Sequence, residues 1–101
     1  MKNFRTFHSA VKFYHLARAL PLRGSLRSQL DRAASSIALN LAEGSTKKSK
    51  RDRKRFYDYA FASLRESQAV LLLLAKEDSI AYQQSDITAA HIYKLCKSLE
   101  P

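Results

Sequence analysis

The residues best suited to chemistry in this chain form a basic segment near its middle. Positions 47–55 hold seven of the 18 Lys and Arg residues and a single acid, Asp52. Seven cations less one carboxylate give the segment a formal charge of +6, out of +9 for the whole chain. Such concentrated charge attracts a polyanion, most plausibly nucleic acid, although it also suits a solvated helix end. The side chains expected to contact phosphates are Lys47, Lys48, Lys50, Arg51, Arg53, Lys54 and Arg55.

The residue patterns of enzymes and metal sites are missing. His8 and His15 have no third ligand type near them in sequence, and His91 and Cys96 are five residues apart, a poor spacing for one helix face. Two glycines are too few for a Walker loop or a dinucleotide fingerprint. No nucleophile-elbow motif accompanies the serines. We therefore expect no catalytic residue, no metal site and no cofactor.

Length and composition indicate a single helical domain over residues 1–101. Only two Gly and two Pro interrupt a chain rich in Leu, Ala, Arg, Lys and Ser, which favours helix. Cys96 is the only cysteine, and no signal-peptide pattern opens the chain. The longest apolar run, residues 69–75, is shorter than the ~20 residues that span a bilayer. These features predict a cytoplasmic protein without a membrane partner.

Hydrophobic spacing predicts two helices in the first half of the chain. The first covers about residues 7–20 and ends before Pro21, because proline disfavours helix at the preceding residue. The second covers residues 25–43, with Ser25 as its N-cap. Gly44 then occupies the position where a left-handed residue commonly ends a helix.

Two more helices are predicted in the second half. The third covers about residues 49–75 and opens with a capping box formed by Ser49 and Asp52. The fourth begins at Ser85, a cap residue followed by the acid Asp86. Four helices with short connections predict an all-α protein, an antiparallel up-down-up-down four-helix bundle.

The third helix is apolar on more than one side. A second stripe of apolar residues runs along this helix and exceeds what one packed face requires. This indicates either a partner surface or a central helix contacted by all the others. On the first alternative the chain is a homo-oligomer, and the stripe supplies the oligomer interface through Tyr57, Phe61 and Leu72.

Three polar residues lie close together at the end of the second helix. Ser36 and Asn40 are four residues apart, and Glu43 follows Asn40 by three, so all can share one side of a helix. They form either a small polar site or hydrogen bonds across the bundle, since buried polar groups need partners. Because Glu43 opposes the helix dipole, we expect it to form an ion pair with the basic segment.

Residues 29–44, which read QLDRAASSIALNLAEG, resemble the signature of a bacterial four-helix-bundle family. This family is named for intervening sequences in 23S ribosomal RNA genes. Ser36, Asn40, Glu43 and Gly44 match its motif, the basic segment matches its Arg-rich loop, and residues 62–66 match its Ser-Leu-x-Glu stretch. Asp31 departs from it by replacing a basic residue. The resemblance covers roughly residues 13–74.

The resemblance implies a homopentameric ring of four-helix bundles. A related branch, the accessory variability determinants of diversity-generating retroelements, works with a reverse transcriptase and binds nucleic acid through a basic surface. We therefore predict a non-catalytic, oligomeric adaptor that binds RNA, DNA or a hybrid, with a reverse transcriptase as a candidate partner. The alternative is a protein–protein interaction module of the same family without a nucleic-acid role.

Overall fold

The computed structural model describes residues 4–100, and all regular structure in this range is helical. Each helix packs against the next, and the first also packs against the last, so the four close into a bundle. This confirms the predicted all-α class and the number of helices. The elements are α1 (Arg5–Arg18), α2 (Gly24–Ser45), α3 (Lys50–Leu73) and α4 (Ile80–Ser98).

The core lies along the bundle axis and consists mainly of aliphatic side chains. The helix pair α2 and α3 makes the most extensive contact. Helix α3 contacts α2 and α4, but no Cα of its residues comes within 8 Å of a Cα in α1. Helix α3 therefore packs side by side with α2 and α4, and lies diagonally opposite α1. The largest fully buried apolar side chains are Phe13, Leu30, Ile37, Leu41, Leu64, Leu71 and Ile92.

Helix α3 begins and ends with two well-defined hydrogen-bonding motifs. At its start the Ser49 hydroxyl accepts a hydrogen bond of 3.1 Å from the backbone N–H of Asp52, which confirms the predicted cap. At its end Ala75 has a φ of 56°, in the left-handed region. The Lys76 N–H donates to the Leu71 carbonyl at 2.8 Å, and this Schellman pattern satisfies carbonyls that the helix leaves free.

Helix α4 starts earlier than predicted, at Ile80. Its N-cap is Ser79, whose hydroxyl accepts from the backbone N–H of Tyr82 at 3.1 Å. The predicted start at Ser85 and Asp86 is wrong because both residues lie inside the helix and face α3. The Gln68 side-chain amide donates to the Ser85 hydroxyl at 2.9 Å and to the Asp86 carboxylate at 3.0 Å.

Gly44 does not end α2, contrary to the prediction. The helix continues to Ser45, and among residues 4–100 the only glycine with a positive φ is Gly24, at 74°. Gly44 is instead buried where α2 meets α3. A Cβ built on it would lie 2.7 Å from Cε1 of Tyr57 and 3.0 Å from Cβ of Phe56. The residue is therefore a glycine because a tyrosine ring covers its backbone.

Helices α1 and α4 are joined by a group of polar side chains, the polar seam (Ser9, Gln84 and Thr88). The hydroxyls of Ser9 and Thr88 are 2.8 Å apart. The Gln84 amide donates to the Ser9 hydroxyl at 3.0 Å and to its carbonyl at 3.2 Å. Gln84 and Thr88 are buried, so these bonds satisfy groups that water does not reach.

Candidate nucleic-acid interface

The basic segment forms the turn between α2 and α3 and the first turns of α3. Because α2 ends at Ser45 and α3 begins at Lys50, the seven cations are confined to a short connection and one helix start. Within residues 4–100, five of these cations have no ion-pair partner. Four of the five are exposed to solvent, namely Lys48, Lys50, Arg51 and Arg55, and the fifth, Arg53, is half-buried.

Two lysines of the segment are paired with carboxylates. Lys47 lies 2.9 Å from Glu43, so the ion pair predicted for Glu43 is confirmed. Lys54 lies 2.9 Å from Asp58, and the hydrogen bond that its ammonium donates to this carboxylate raises the pKa of the lysine. Solvent-accessible pairs of this kind contribute little to stability. Either lysine can therefore exchange its carboxylate for a phosphate at little cost.

Arg53 points inward rather than outward. Its side chain is half-buried, and its Nε atom is buried without a hydrogen-bond partner. Burial raises the pKa of the neighbouring Tyr57, whereas the positive charge of Arg53 lowers it. We therefore expect Arg53 to contribute less to phosphate contact than the four exposed cations.

Aromatic rings are interleaved with the cations of the segment. The Arg55 guanidinium lies 4.8 Å, and the Lys47 ammonium 5.1 Å, from the centre of the Phe56 ring. Tyr59 packs edge-on against Phe56, with ring centres 5.8 Å apart, and is 48% exposed. An open depression of about 740 Å³ lies beside these groups, lined by Ser49, Arg51, Asp52, Lys54, Arg55, Asp58 and Tyr59.

The placement of the cations opposes the helix dipole. Aligned peptide dipoles give the start of a helix a partial positive charge, which favours acids there and disfavours bases. Lys50 and Arg51 occupy the first turn of α3, and Asp52 is the only acid in that turn. The helix start therefore gathers positive charge from the side chains and from the backbone. A bound anion would offset the positive charge of both the side chains and the backbone.

The polar group of α2 formed by Ser36 and Asn40 faces α3, where its hydrogen bonds are satisfied. The Ser36 hydroxyl lies 2.9 Å from that of Ser63, and the Asn40 amide donates to the Ser36 hydroxyl at 3.0 Å and to its carbonyl at 2.9 Å. Arg32 forms an ion pair with Glu66 on the same side of the helix pair. Of the two alternatives, these contacts favour hydrogen bonding across the bundle over a separate polar site.

The residues predicted to form an oligomer interface occupy three different environments. Tyr57 is only 5% exposed and packs within the bundle, which leaves its ring little surface for a partner. Phe61 is half-buried beneath the Arg65 guanidinium, which lies 4.8 Å from the ring centre. Leu72 is 51% exposed, and its neighbour Leu73 is 74% exposed. The end of α3 therefore presents the apolar surface that a partner could cover.

Cys96 lies close to the basic segment, which sequence reasoning missed because the two are far apart in the chain. Its Sγ is 3.5 Å from the Asp58 carboxylate, in a depression between α3 and α4. Burial, together with this carboxylate, raises the pKa of the Cys96 thiol to about 11. The thiol therefore stays protonated at neutral pH and is a poor nucleophile.

Two further kinds of site are missing from the described part of the chain. Between residues 4 and 100, no three His, Cys, Asp or Glu side chains come together as metal ligands would. No helix within the same residues has the length and apolar character needed to cross a membrane.

Fold and surface together define a small all-α protein of four helices with a strongly basic helix start. The family model of the 23S rRNA-intervening sequence proteins matches residues 5–101. This match covers nearly the whole chain, so the protein belongs to that family, as its motif predicted. A comparison with curated proteins found no significant match. The link to retroelement accessory proteins stays a prediction.

Proposed function

We propose that this protein is a non-catalytic adaptor that binds nucleic acid through the start of α3. The observation that carries the proposal is the group of four exposed, unpaired cations at the positive end of a helix. A fold that needed only a soluble helix end would place acids there. Lysine and arginine side chains without carboxylate partners supply the phosphate contacts that give affinity independent of sequence.

The proposal includes an antiparallel bundle that assembles into a ring. Contacts between α2 and α3 support the antiparallel arrangement, because residue numbers rise along one helix as they fall along the other: Arg32 meets Glu66, Ser36 meets Ser63, and Gly44 meets Tyr57. A homopentamer follows from the family resemblance. Repetition of one basic surface around a ring would raise the affinity for a long polyanion through avidity.

A reverse transcriptase remains a candidate partner, on the strength of resemblance to the retroelement branch. The basic segment is compatible with this role, since such an adaptor would hold template or product near the polymerase. A cytoplasmic location is part of the same prediction. Finding a reverse transcriptase gene beside the gene for this protein would support it, and a gene inside a ribosomal RNA operon would point to a different role.

Fluorescence anisotropy over a series of salt concentrations tests the binding surface. The variant Lys50→Gln/Arg51→Gln removes two phosphate contacts. On duplex DNA it should reduce the steepness of the log affinity against log salt line by about 2, because each contact contributes ~0.9. The loss should be similar for every sequence, since phosphates are the same in all.

The matched control is Arg23→Gln/Lys76→Gln, which removes the same charge from the other two connections of the bundle. Its salt dependence should equal that of the unmodified protein. If both variants lose the same steepness, net charge rather than the α3 start governs binding. Absence of binding at low salt would remove nucleic acid from the proposal and favour the interaction-module alternative.

A further inference from the structure

A second cationic surface lies in the groove between α1 and α4. Arg5 and Lys12 of α1 and Lys94 of α4 are exposed there, and the exposed His8 and the half-buried His91 line the same groove. Two shallow depressions share Arg5 and His91, so the groove is continuous along these helices. We refer to this surface, defined by Arg5, Lys12 and Lys94, as the α1/α4 groove.

Among residues 4–100, no carboxylate lines the α1/α4 groove. Helix α1 has no acidic residue, and the only acid of α4 is Asp86, which accepts a hydrogen bond from Gln68 of α3. Ser9 and Gln84 also line the groove, and both are held by the polar seam. Hydrogen-bonded polar side chains therefore lie at the base of the groove, and the cations above them have no acids nearby to neutralise their charge.

The spacing of these cations suits a chain of phosphates rather than one phosphate. Arg5 and Lys12 are seven residues apart, which corresponds to about 10 Å along the helix axis. Phosphates of one nucleic-acid strand follow each other every ~3.4 Å along a duplex axis. A site for a single anion would need these side chains to converge, but they are exposed and spread along the groove.

An ion-paired strip separates the α1/α4 groove from the start of α3. This strip contains the pairs Lys54–Asp58 and Lys97–Glu100, the latter at 3.3 Å. Both pairs line one depression between α3 and α4, which also contains Tyr93. Tyr93 is 58% exposed, so its ring is available to a ligand that crosses the strip.

We propose that a single nucleic-acid strand follows a track around the bundle, from the start of α3 across Tyr93 to the α1/α4 groove. The inference rests on the proposed function and names its ligand class. Cations at both ends of the track hold phosphates, while Tyr59 and Tyr93 offer rings on which bases stack, a combination typical of single-strand binding. The bundle is only 23 × 21 Å across, and a stiff duplex cannot bend around it.

Anisotropy with a uridine-rich single strand and an RNA duplex of equal length tests the track. Lys12→Gln/Lys94→Gln should reduce the salt steepness on the single strand by about 1.4, because each contact contributes ~0.7, and should leave the duplex value unchanged. Tyr93→Ala should weaken single-strand binding about tenfold, whereas Tyr93→Phe should bind normally because the stacking ring remains. All these side chains are exposed, so the fold should survive, which circular dichroism checks.

The outcomes separate this inference from the proposed function. If Lys50→Gln/Arg51→Gln weakens single-strand binding but the groove and Tyr93→Ala variants do not, the track is overturned and the α3 surface stands. Equal losses on duplex and single strand would overturn the single-strand assignment. A polyglutamate chain that competes as well as RNA at equal charge would overturn the phosphate assignment. If the unmodified protein binds no nucleic acid, the proposed function fails as well.

Discussion

At the scale of single residues, Gly44 shows how a motif position obtains its meaning from packing. The residue lies inside α2, where a helix normally prefers alanine by about 1 kcal/mol. Its hydrogen atom faces the Tyr57 ring, which is itself buried against the Phe4 ring at a centre-to-centre distance of 6.2 Å. The segment Asn40-Leu41-Ala42-Glu43-Gly44 of the family signature therefore ends in glycine, because the Tyr57 ring leaves no room for a side chain there.

Gly44→Ala should destabilise the protein despite the better helix propensity of alanine. The added Cβ would meet ring atoms at 2.7 and 2.9 Å, so the tyrosine or the helix must move. Overpacking of this kind costs about 1–3 kcal/mol. Chemical denaturation monitored by circular dichroism measures the free energy of unfolding.

A double-mutant cycle identifies the cause of this loss. Tyr57→Leu alone should destabilise the core, but in the Gly44→Ala background it should cost less, because the clashing ring is gone. Gly44→Ala that leaves the free energy of unfolding unchanged or increased would show that the ring moves aside freely. The steric account of this glycine would then be wrong.

At the scale of helices, the proposed binding surface at the start of α3 coincides with an arrangement that lowers stability there. The first turn carries Lys50 and Arg51 where the dipole favours acids, and Ser49 and Asp52 compensate through the cap. Surfaces that bind ligands commonly retain arrangements that the free protein would be more stable without. Binding and folding should therefore respond to these two charges in opposite directions.

Lys50→Gln/Arg51→Gln should raise the free energy of unfolding while it weakens nucleic-acid binding. The removal of each positive charge should stabilise the start of α3 by a few tenths to about 1 kcal/mol at low salt. The gain should fade as salt is added, because screening weakens the dipole interaction. Thermal denaturation at low and high salt measures both effects.

The control for this stability effect is again Arg23→Gln/Lys76→Gln. If that variant gains the same stability, the effect is not specific to the start of α3, because Arg23 is the N-cap of α2 and its charge opposes the dipole of that helix. A loss of stability in Lys50→Gln/Arg51→Gln would mean that these side chains make stabilising contacts in the free protein. The proposed opposition between binding and folding would then be refuted.

At the scale of the whole molecule, the end of α3 is the apolar surface best placed for self-association. Leu72 and Leu73 are exposed there, and Ile80 at the start of α4 is 68% exposed. Leu72→Glu/Leu73→Glu should convert an oligomer into a monomer of unchanged helicity, because buried charges disfavour an interface. Sedimentation velocity measures the mass, and five times the protomer mass would identify the pentamer.

Leu39→Glu provides a control for the oligomer experiment. Leu39 is 67% exposed on α2, so this variant adds charge to an apolar position away from the end of α3. It should assemble like the unmodified protein. If Leu72→Glu/Leu73→Glu also assembles normally, the interface lies elsewhere on the bundle.

Sequence patterns predicted many of the features that depend on local interactions. The number of helices and the Ser49 cap follow from spacing within a turn or two of helix, and both are confirmed. The ion pair expected between Glu43 and the basic segment is confirmed through Lys47. The predicted Ser25 cap is wrong, because α2 begins at Gly24 with Arg23 as its N-cap. The basic segment could be recognised for the same reason, since its cations are adjacent in the chain.

Features that depend on long-range packing could not be predicted in this way. Ser79 and Ser85 are equally good cap residues by sequence, and only the contact of Ser85 with Gln68 decides between them. Tyr57 belongs to an apolar stripe that the sequence alone assigns to the surface of α3. In the structure its ring packs against Gly44 of α2. The α1/α4 groove joins residues at opposite ends of the sequence, which no local pattern brings together.

The polar seam between α1 and α4 has a consequence for the uniqueness of the fold. Aliphatic side chains alone would allow one helix to slide along its neighbour by a turn, about 5.4 Å, with little change in buried apolar area. Such a slide would separate Ser9 from Gln84 and Thr88 and leave buried polar groups unpaired, at about 1–3 kcal/mol each. The polar seam therefore specifies one register of α1 against α4 and disfavours the registers shifted by one turn.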